Sequence, residues 1–160
     1  MEFHAQQFGV GFSEPDTRDD ESADVEIIGV PTHLIDAVWP ACSPLLDKAL
    51  QSYPFDAINI ELVYERLKTA NYQLWVCLVD NQVLAACASM IGEQGKLYVL
   101  GVGGSQMGLW VDSLWQTLIR FGRSQGCRVI GGYGRKGWIR VLKINPREQY
   151  AWETDIEDTI

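Results

Sequence analysis

Three apolar runs in close succession constrain this chain more than any other feature. Gln73-Leu74-Trp75-Val76-Cys77-Leu78-Val79 is followed by the turn pair Asp80-Asn81, then by Val83 to Ile91, a run of mostly small residues. Gly92 to Gly95 turns the chain again, and Lys96-Leu97-Tyr98-Val99-Leu100-Gly101-Val102 completes the set before Gly103-Gly104. Turns this short join antiparallel neighbours, because a parallel connection needs about a dozen residues or more. Runs that are apolar at successive positions need cover on both faces of their sheet. The segment predicts an antiparallel meander held between other layers.

Downstream the period changes. Val111, Leu114, Trp115, Leu118 and Gly122 share one face of a helix from Met107 to about Gln125, which Gly126 closes. Arg128 to Tyr133 reads as a strand, Trp138 to Ile144 as a short helix ended by Pro146, and Glu148 to Ile156 as a final strand. Upstream, Asp24 to Ile28 alternates as a first strand. Thr32 is a fair N-cap for a helix through Trp39, stopped by Pro40, and Ser43 caps a second helix with Pro44 at its first position. A third helix begins after Asp56 or Asn59, with Leu62, Val63 and Leu67 at helical spacing. The order β-α-α-α-β-β-β-α-β-α-β predicts an α+β fold around one mixed sheet, with residues 24–160 as one domain behind an arm of residues 1–23.

The 160 residues are 47% hydrophobic and 21% charged, which excludes a disordered chain or a collagen-like fibre. The longest uncharged runs fall short of the ~20 apolar residues of a membrane helix, and the start Met1-Glu2-Phe3-His4 lacks the basic and apolar regions of a secretion signal. A cytosolic protein is expected. Cys42, Cys77, Cys87 and Cys127 form no C-x-x-C pair, and His4 and His33 are the sole histidines, so four reduced structural thiols and no metal site are expected.

Charge is distributed unevenly within a formal total of −8. Residues 1–26 hold eight acids against Arg18, and Glu153 to Asp158 add four more. Between Ser113 and Arg147 there is no acid, while Arg120, Arg123, Arg128, Arg135, Lys136, Arg140, Lys143 and Arg147 give eight positive charges. The arm also carries Phe3, Phe8 and Phe12 among glycines, so it has apolar groups to bury and reads as an interaction arm. The acidic ends oppose a phosphate backbone, making nucleic acid a poor partner for the basic 120–147 face. A phosphorylated small ligand or an acidic protein surface suits it better.

The element order, together with Gly132-Tyr133-Gly134-Arg135-Lys136-Gly137-Trp138-Ile139-Arg140-Val141-Leu142-Lys143, resembles the GNAT superfamily of acyl-CoA-dependent N-acyltransferases over about Val25 to Ile156. The Gly-Arg-x-Gly-Trp-x-Arg-x-Leu-Lys form is similar to that of short GNAT-like proteins encoded by tailed bacteriophages. The resemblance implies a mixed, mostly antiparallel central sheet with helices on both faces. It implies that the strand Lys96 to Val102 splays from its neighbour so that its backbone, around Leu100 and Val102, pairs with pantetheine amides, with Gly101 suited to a bulge. It implies that pyrophosphate sits where the long helix begins. Members that bind CoA carry a Q/R-x-x-G-x-G/A loop there. Gly103-Gly104-Ser105-Gln106-Met107-Gly108 departs from it: counted from Gly103, Gly108 alone fits, and counted from Ser105, Gly108 is the middle glycine and Trp110 replaces the last small residue. An indole at that point is expected to crowd the pyrophosphate, or else Gly103-Gly104 turns the chain and Trp110 is core. Arg135, Lys136 and Trp138 are candidates for the nucleotide end of CoA.

Acyl transfer to an amine needs a base and a proton donor to the departing thiolate. Glu93 at a strand end, and Glu61 or Glu65 on a helix, are candidate bases; Tyr133 or Tyr150 are candidate donors. Each also has a plain structural explanation, as a solvated turn or a half-buried aromatic. The degenerate loop, the acidic aromatic arm and the unequal charge faces lead to the expectation of a virion building block without a cofactor. In that expectation neighbouring virion subunits hold the 1–23 arm and the 120–147 face, in the host cytoplasm and then in the particle. The alternative is an N-acetyltransferase using acetyl-CoA on an amine or lysine, and a ligand-binding module that lost its chemistry is a third.

Overall fold

A computed structural model describes residues 24–51, 58–93, 95–133 and 151–156. The three apolar runs form β2 (Gln73–Val79), β3 (Gln82–Gly92) and β4 (Lys96–Gly104), antiparallel in sequence order. β1 (Val25–Gly29) joins β2 antiparallel, β5 (Val129–Tyr133) joins β4 in parallel, and β6 (Ala151–Asp155) joins β5 antiparallel. The six strands lie in the order β1-β2-β3-β4-β5-β6. Asp80 and Asn81 adopt φ of 51° and 68°, the left-handed pair that a two-residue hairpin requires and that Asp and Asn tolerate.

Helices cover both faces. α1 (Ile35–Leu50) and α2 (Ile60–Lys68) lie on one side, where Val38, Cys42, Leu46, Val63 and Leu67 pack against Leu74, Val76, Leu78, Ala86, Ala88 and Leu100. α3 (Met107–Ser124) covers the other, packing Trp110, Leu114, Leu118 and Ile119 against Trp75, Cys77, Cys87, Leu97 and Val99. All four cysteines are buried and free. No described helix is long and apolar enough to cross a membrane.

The two helices expected around Pro40 and Pro44 are one. Thr32 to Leu34 forms a 3-10 turn, and α1 then runs through both prolines. Each proline removes one backbone bond, but the pair is four residues apart on the exposed side, where water reaches the freed carbonyls. The opposite face buries Ile35, Val38, Cys42, Leu46 and Leu50 completely or nearly so, and that burial outweighs two missing rungs. α2 begins as expected: the Asn59 side chain accepts from the Leu62 N–H at 2.8 Å. Asp36 ties α1 to α2, accepting from the Tyr64 hydroxyl at 2.6 Å and pairing with Lys68.

α3 ends in a Schellman motif. The Cys127 N–H reaches the Gly122 carbonyl at 2.8 Å and the Gly126 N–H reaches that of Arg123 at 3.1 Å, with Gly126 at φ +78°. This reverses the chain into β5 beside the start of β4, where the Arg128 N–H donates to the Gly95 carbonyl. The short helix expected at Trp138 to Ile144 lies outside the described residues.

Candidate functional site

β4 and β5 pair from Lys96↔Val129 to Val99↔Gly132, and among the described residues their ladder goes no further. On its other side, β4 changes register with β3 at the same place: Ser89 is opposite Val99, and Ala88 is opposite Gly101. Leu100 is thus the extra residue of a bulge, immediately before the Gly101 singled out in the sequence. A bulge bends and twists its strand. Gly101 to Gly104 keep their partners on β3.

Gly103 and Gly104 do not turn the chain; they are the last two residues of β4, opposite Ala86 and Ala85. A β-carbon on Gly103 would collide with the Leu45 carbonyl of α1, and one on Gly104 with the Leu84 carbonyl of β3. Close approach of two backbones explains the pair. Gly101 lies under α1 as well, its β-carbon position 3.3 Å from Leu50 Cδ2.

The loop after them leads straight into α3. Ser105 donates its N–H to the Leu84 carbonyl at 3.0 Å, Gln106 adopts φ 55°, and Leu109 donates to the Gln106 carbonyl at 2.9 Å. α3 has neither a side-chain cap nor an acid in its first turn. Its leading N–H groups therefore carry the positive end of the helix dipole without a side-chain acceptor. Gly108 is exposed and nothing lies within 4 Å of where its β-carbon would be. Of the two readings of Trp110, a crowding indole or a core residue, the structure shows the core residue. Its ring is 2% exposed and belongs to the α3 core, and its N–H donates inward to the Ser105 carbonyl at 2.7 Å.

Other candidates are placed as follows. Leu100 is buried on the α1 face and Val102 half-buried on the α3 face. Tyr133 ends β5, one position past Gly132 and opposite Ala151 of β6. Glu93 is exposed in the turn before β4, at the opposite end of that strand from α3. Glu61 and Glu65 are exposed on α2. Arg135, Lys136, Trp138 and Tyr150 lie outside the described residues, as does the 1–23 arm. The described part of the basic segment is not one patch: Arg120 lines a groove beside β1, whereas Arg123 reaches the Ile156 carbonyl past β6 at 3.2 Å.

One polar group beside the bulge was not singled out from the sequence. Ser89, opposite Val99, is wholly buried; its hydroxyl accepts from the Trp75 indole at 2.9 Å and donates to Gln73 Oε1 at 2.8 Å. The only signal for it was a hydroxyl inside an apolar run. Among the described residues no group of three His, Cys, Asp or Glu side chains could hold a metal ion.

No family model matches the chain, and no curated protein matches it in sequence. Solved structures do match its fold. An aminoglycoside acetyltransferase from an uncultured soil metagenomic sample, in complex with sisomicin, superposes with a TM-score of 0.59 at 16% identity, over 78% of this chain and 91% of that one. A GNAT-family acetyltransferase from Staphylococcus aureus gives 0.58 at 8% identity, over 83% and 99%. The PaiA N-acetyltransferase from Thermoplasma acidophilum, in complex with coenzyme A, gives 0.56 at 10% identity, over 82% and 99%. The chain has the fold of the GNAT acetyltransferases, a mixed and mostly antiparallel sheet with helices on both faces. The expectation of a virion building block is corrected by the same comparison. The neighbours are acetyltransferases, some in complex with coenzyme A or sisomicin, and nothing in the comparison favours a role in an assembled particle. That expectation gave too much weight to a loop that departs from the family pattern in sequence.

Proposed function

We propose that this protein is an acyl-CoA-dependent N-acyltransferase that transfers an acetyl group to an amine. The observation that carries the proposal is the bulge at Leu100, after which Gly101 to Gly104 lead along β3 to the uncapped start of α3. That arrangement offers a row of backbone groups followed by an anion-favouring helix terminus, which matches a ligand made of amides followed by a pyrophosphate.

The residues fit such a ligand. Gly108 leaves an open surface at the first turn of α3, which the packing of the fold does not require. The Met107 and Gly108 N–H groups would hold the pyrophosphate, and the backbone of Gly101 to Gly104 would pair with the pantetheine amides. Arg135 and Trp138 are the candidates for the nucleotide end. Bound there, acetyl-CoA would supply an acyl thioester, the activated carbonyl that an amine attacks. Tyr133 is our candidate to give a proton to the departing thiolate, because its strand position is one past the last rung of the parallel ladder. The coenzyme A complex of one structural neighbour and the aminoglycoside complex of another support the cofactor and the amine class of acceptor.

Titration calorimetry with acetyl-CoA and CoA tests this, comparing the native chain with Gly108→Asp. A carboxylate in the first turn favours the helix but repels a pyrophosphate. Micromolar binding to the native chain that weakens at least tenfold (about 1.4 kcal/mol) in a folded variant is expected. No heat with millimolar ligand would overturn the proposal.

A further inference from the structure

β1 is an edge strand, and two backbone bonds settle which of its groups face outward. Asp80 donates its N–H to the Asp24 carbonyl and Val30 donates to the Leu74 carbonyl, each at 2.9 Å. Bonded pairs recur at every second residue of an antiparallel ladder, so Glu26 and Ile28 are bonded to β2. The N–H and C=O groups of Val25, Ile27 and Gly29 point away from the sheet, and among the described residues no strand lies beside them. The register of β1 with β2 is unbroken, and the strand contains no proline or lysine. Glu26 is its one charged residue, and no bulge, proline or lysine blunts the edge.

A groove of about 480 Å³ runs along this edge. Val25, Glu26 and Ile27, all half-buried, lie on its β1 side, and Asp112, Ser113, Gln116, Thr117 and Arg120 of α3 form its far wall. Arg120 is held along that wall by a 3.4 Å bond to the Thr117 hydroxyl. The groove thus combines an apolar strip, a row of backbone donors and acceptors, and charges of both signs, Arg120 with Glu26 and Asp112.

The chain brings its own occupant. Residues 1–23 lead directly into β1, and within them Phe8-Gly9-Val10-Gly11-Phe12 alternates apolar side chains with glycine, a strand pattern with one apolar face. The twelve residues 13–24 connect it to Val25 and include Pro15-Asp16, a turn-forming pair. That is ample length to reverse direction. We propose that Phe8 to Phe12 adds to the outer edge of β1 as an antiparallel strand, seating Phe8, Val10 and Phe12 over Val25 and Ile27. Five residues match the five of β1, and the tether gives the segment a high effective concentration at the groove.

Residue-resolved amide exchange on the full chain tests this against the triple variant Phe8→Ser, Val10→Ser, Phe12→Ser. The amides of Val25, Ile27 and Gly29 should exchange at least ~10-fold faster in the variant, with those of β2 to β4 unchanged and both proteins monomeric. Equal exchange of the three amides in the two proteins would overturn the proposal. So would protection that appears only as concentration rises together with a dimer in sedimentation, which would assign the groove to a second copy of the chain.

Discussion

The indole N–H of Trp110 donates to the carbonyl oxygen of Ser105 across 2.7 Å, tying the turn after β4 to the helix that the turn introduces. The ring itself is core, 2% exposed. Trp110→Ala should cost about 3–5 kcal/mol by emptying that volume. Trp110→Phe retains much of the burial but strands the Ser105 carbonyl, and should cost about 1–3 kcal/mol. Urea unfolding of both variants checks this. A Phe variant as unstable as the Ala variant would move the weight from the buried ring to the hydrogen bond.

Gly103 and Gly108 should respond to alanine with opposite signs. A methyl on Gly103 meets the Leu45 carbonyl, which is backbone and cannot swing aside. Gly103→Ala should destabilise by about 1–3 kcal/mol or more through overpacking. Gly108 is in a helix with open space around it, so Gly108→Ala should stabilise by about 0.4–1 kcal/mol. In calorimetry it should also weaken CoA binding, since the added methyl stands where the pyrophosphate is proposed to approach. A stabilised Gly108→Ala with undiminished CoA affinity would remove that residue from the site.

The meander and α3 were legible because their signals are local: unbroken apolar runs, tight turns at Asp80-Asn81 and Gly92 to Gly95, and a 3.6-residue period closed by Gly126. Three features were not. Pro40 and Pro44 read as helix ends because a proline's cost is local, whereas the packing of Val38, Cys42 and Leu46 on the sheet is tertiary. Gly103-Gly104 read as a turn because nothing in sequence announces that α1 will lie against β4. The loop at Ser105 to Gly108 departs from the family pattern in residue type, yet the feature that matters there is backbone geometry, which Trp110 supports from inside.

Ser89 is the hinge of a buried polar pair beside the bulge. Ser89→Ala leaves the Trp75 N–H and the Gln73 carbonyl oxygen without their partner, and should cost about 1–3 kcal/mol. Because Trp75 also packs edge-on against Phe121 of α3 at 5.0 Å between ring centres, its near-ultraviolet circular dichroism should change with the substitution. Unchanged stability and spectrum would mean that water replaces the hydroxyl.

Burial pushes the Cys42 and Cys77 thiols up to about 12, from an ordinary value of 9.0. A thiol whose folded pKa is raised binds its proton more tightly in the native state. Its contribution is fully present below the unfolded pKa and is lost as pH rises through the folded one, so stability should fall with pH from about 9 toward about 12. Labelling with a thiol reagent at pH 8 should accordingly be slow in the folded chain and follow the unfolding rate as urea is added. Rapid stoichiometric labelling of the native protein would contradict the buried arrangement.

Tyr133 offers the sharpest test of the proposed chemistry. β5 pairs with β4 up to Gly132 and with β6 at Tyr133 itself, so the backbone of the residue is fixed on the β6 side. Removing the hydroxyl should leave the strand intact. If it delivers a proton to the thiolate, Tyr133→Phe should lower kcat about 10²–10⁴-fold in a thiol-release assay with simple polyamines and aminoglycosides as acceptors. CoA affinity by calorimetry should be unchanged, since the pyrophosphate and pantetheine contacts are assigned to β4 and α3. A variant that binds CoA and turns over at the native rate would transfer the role to another donor, and one that loses CoA affinity would make Tyr133 a binding residue instead.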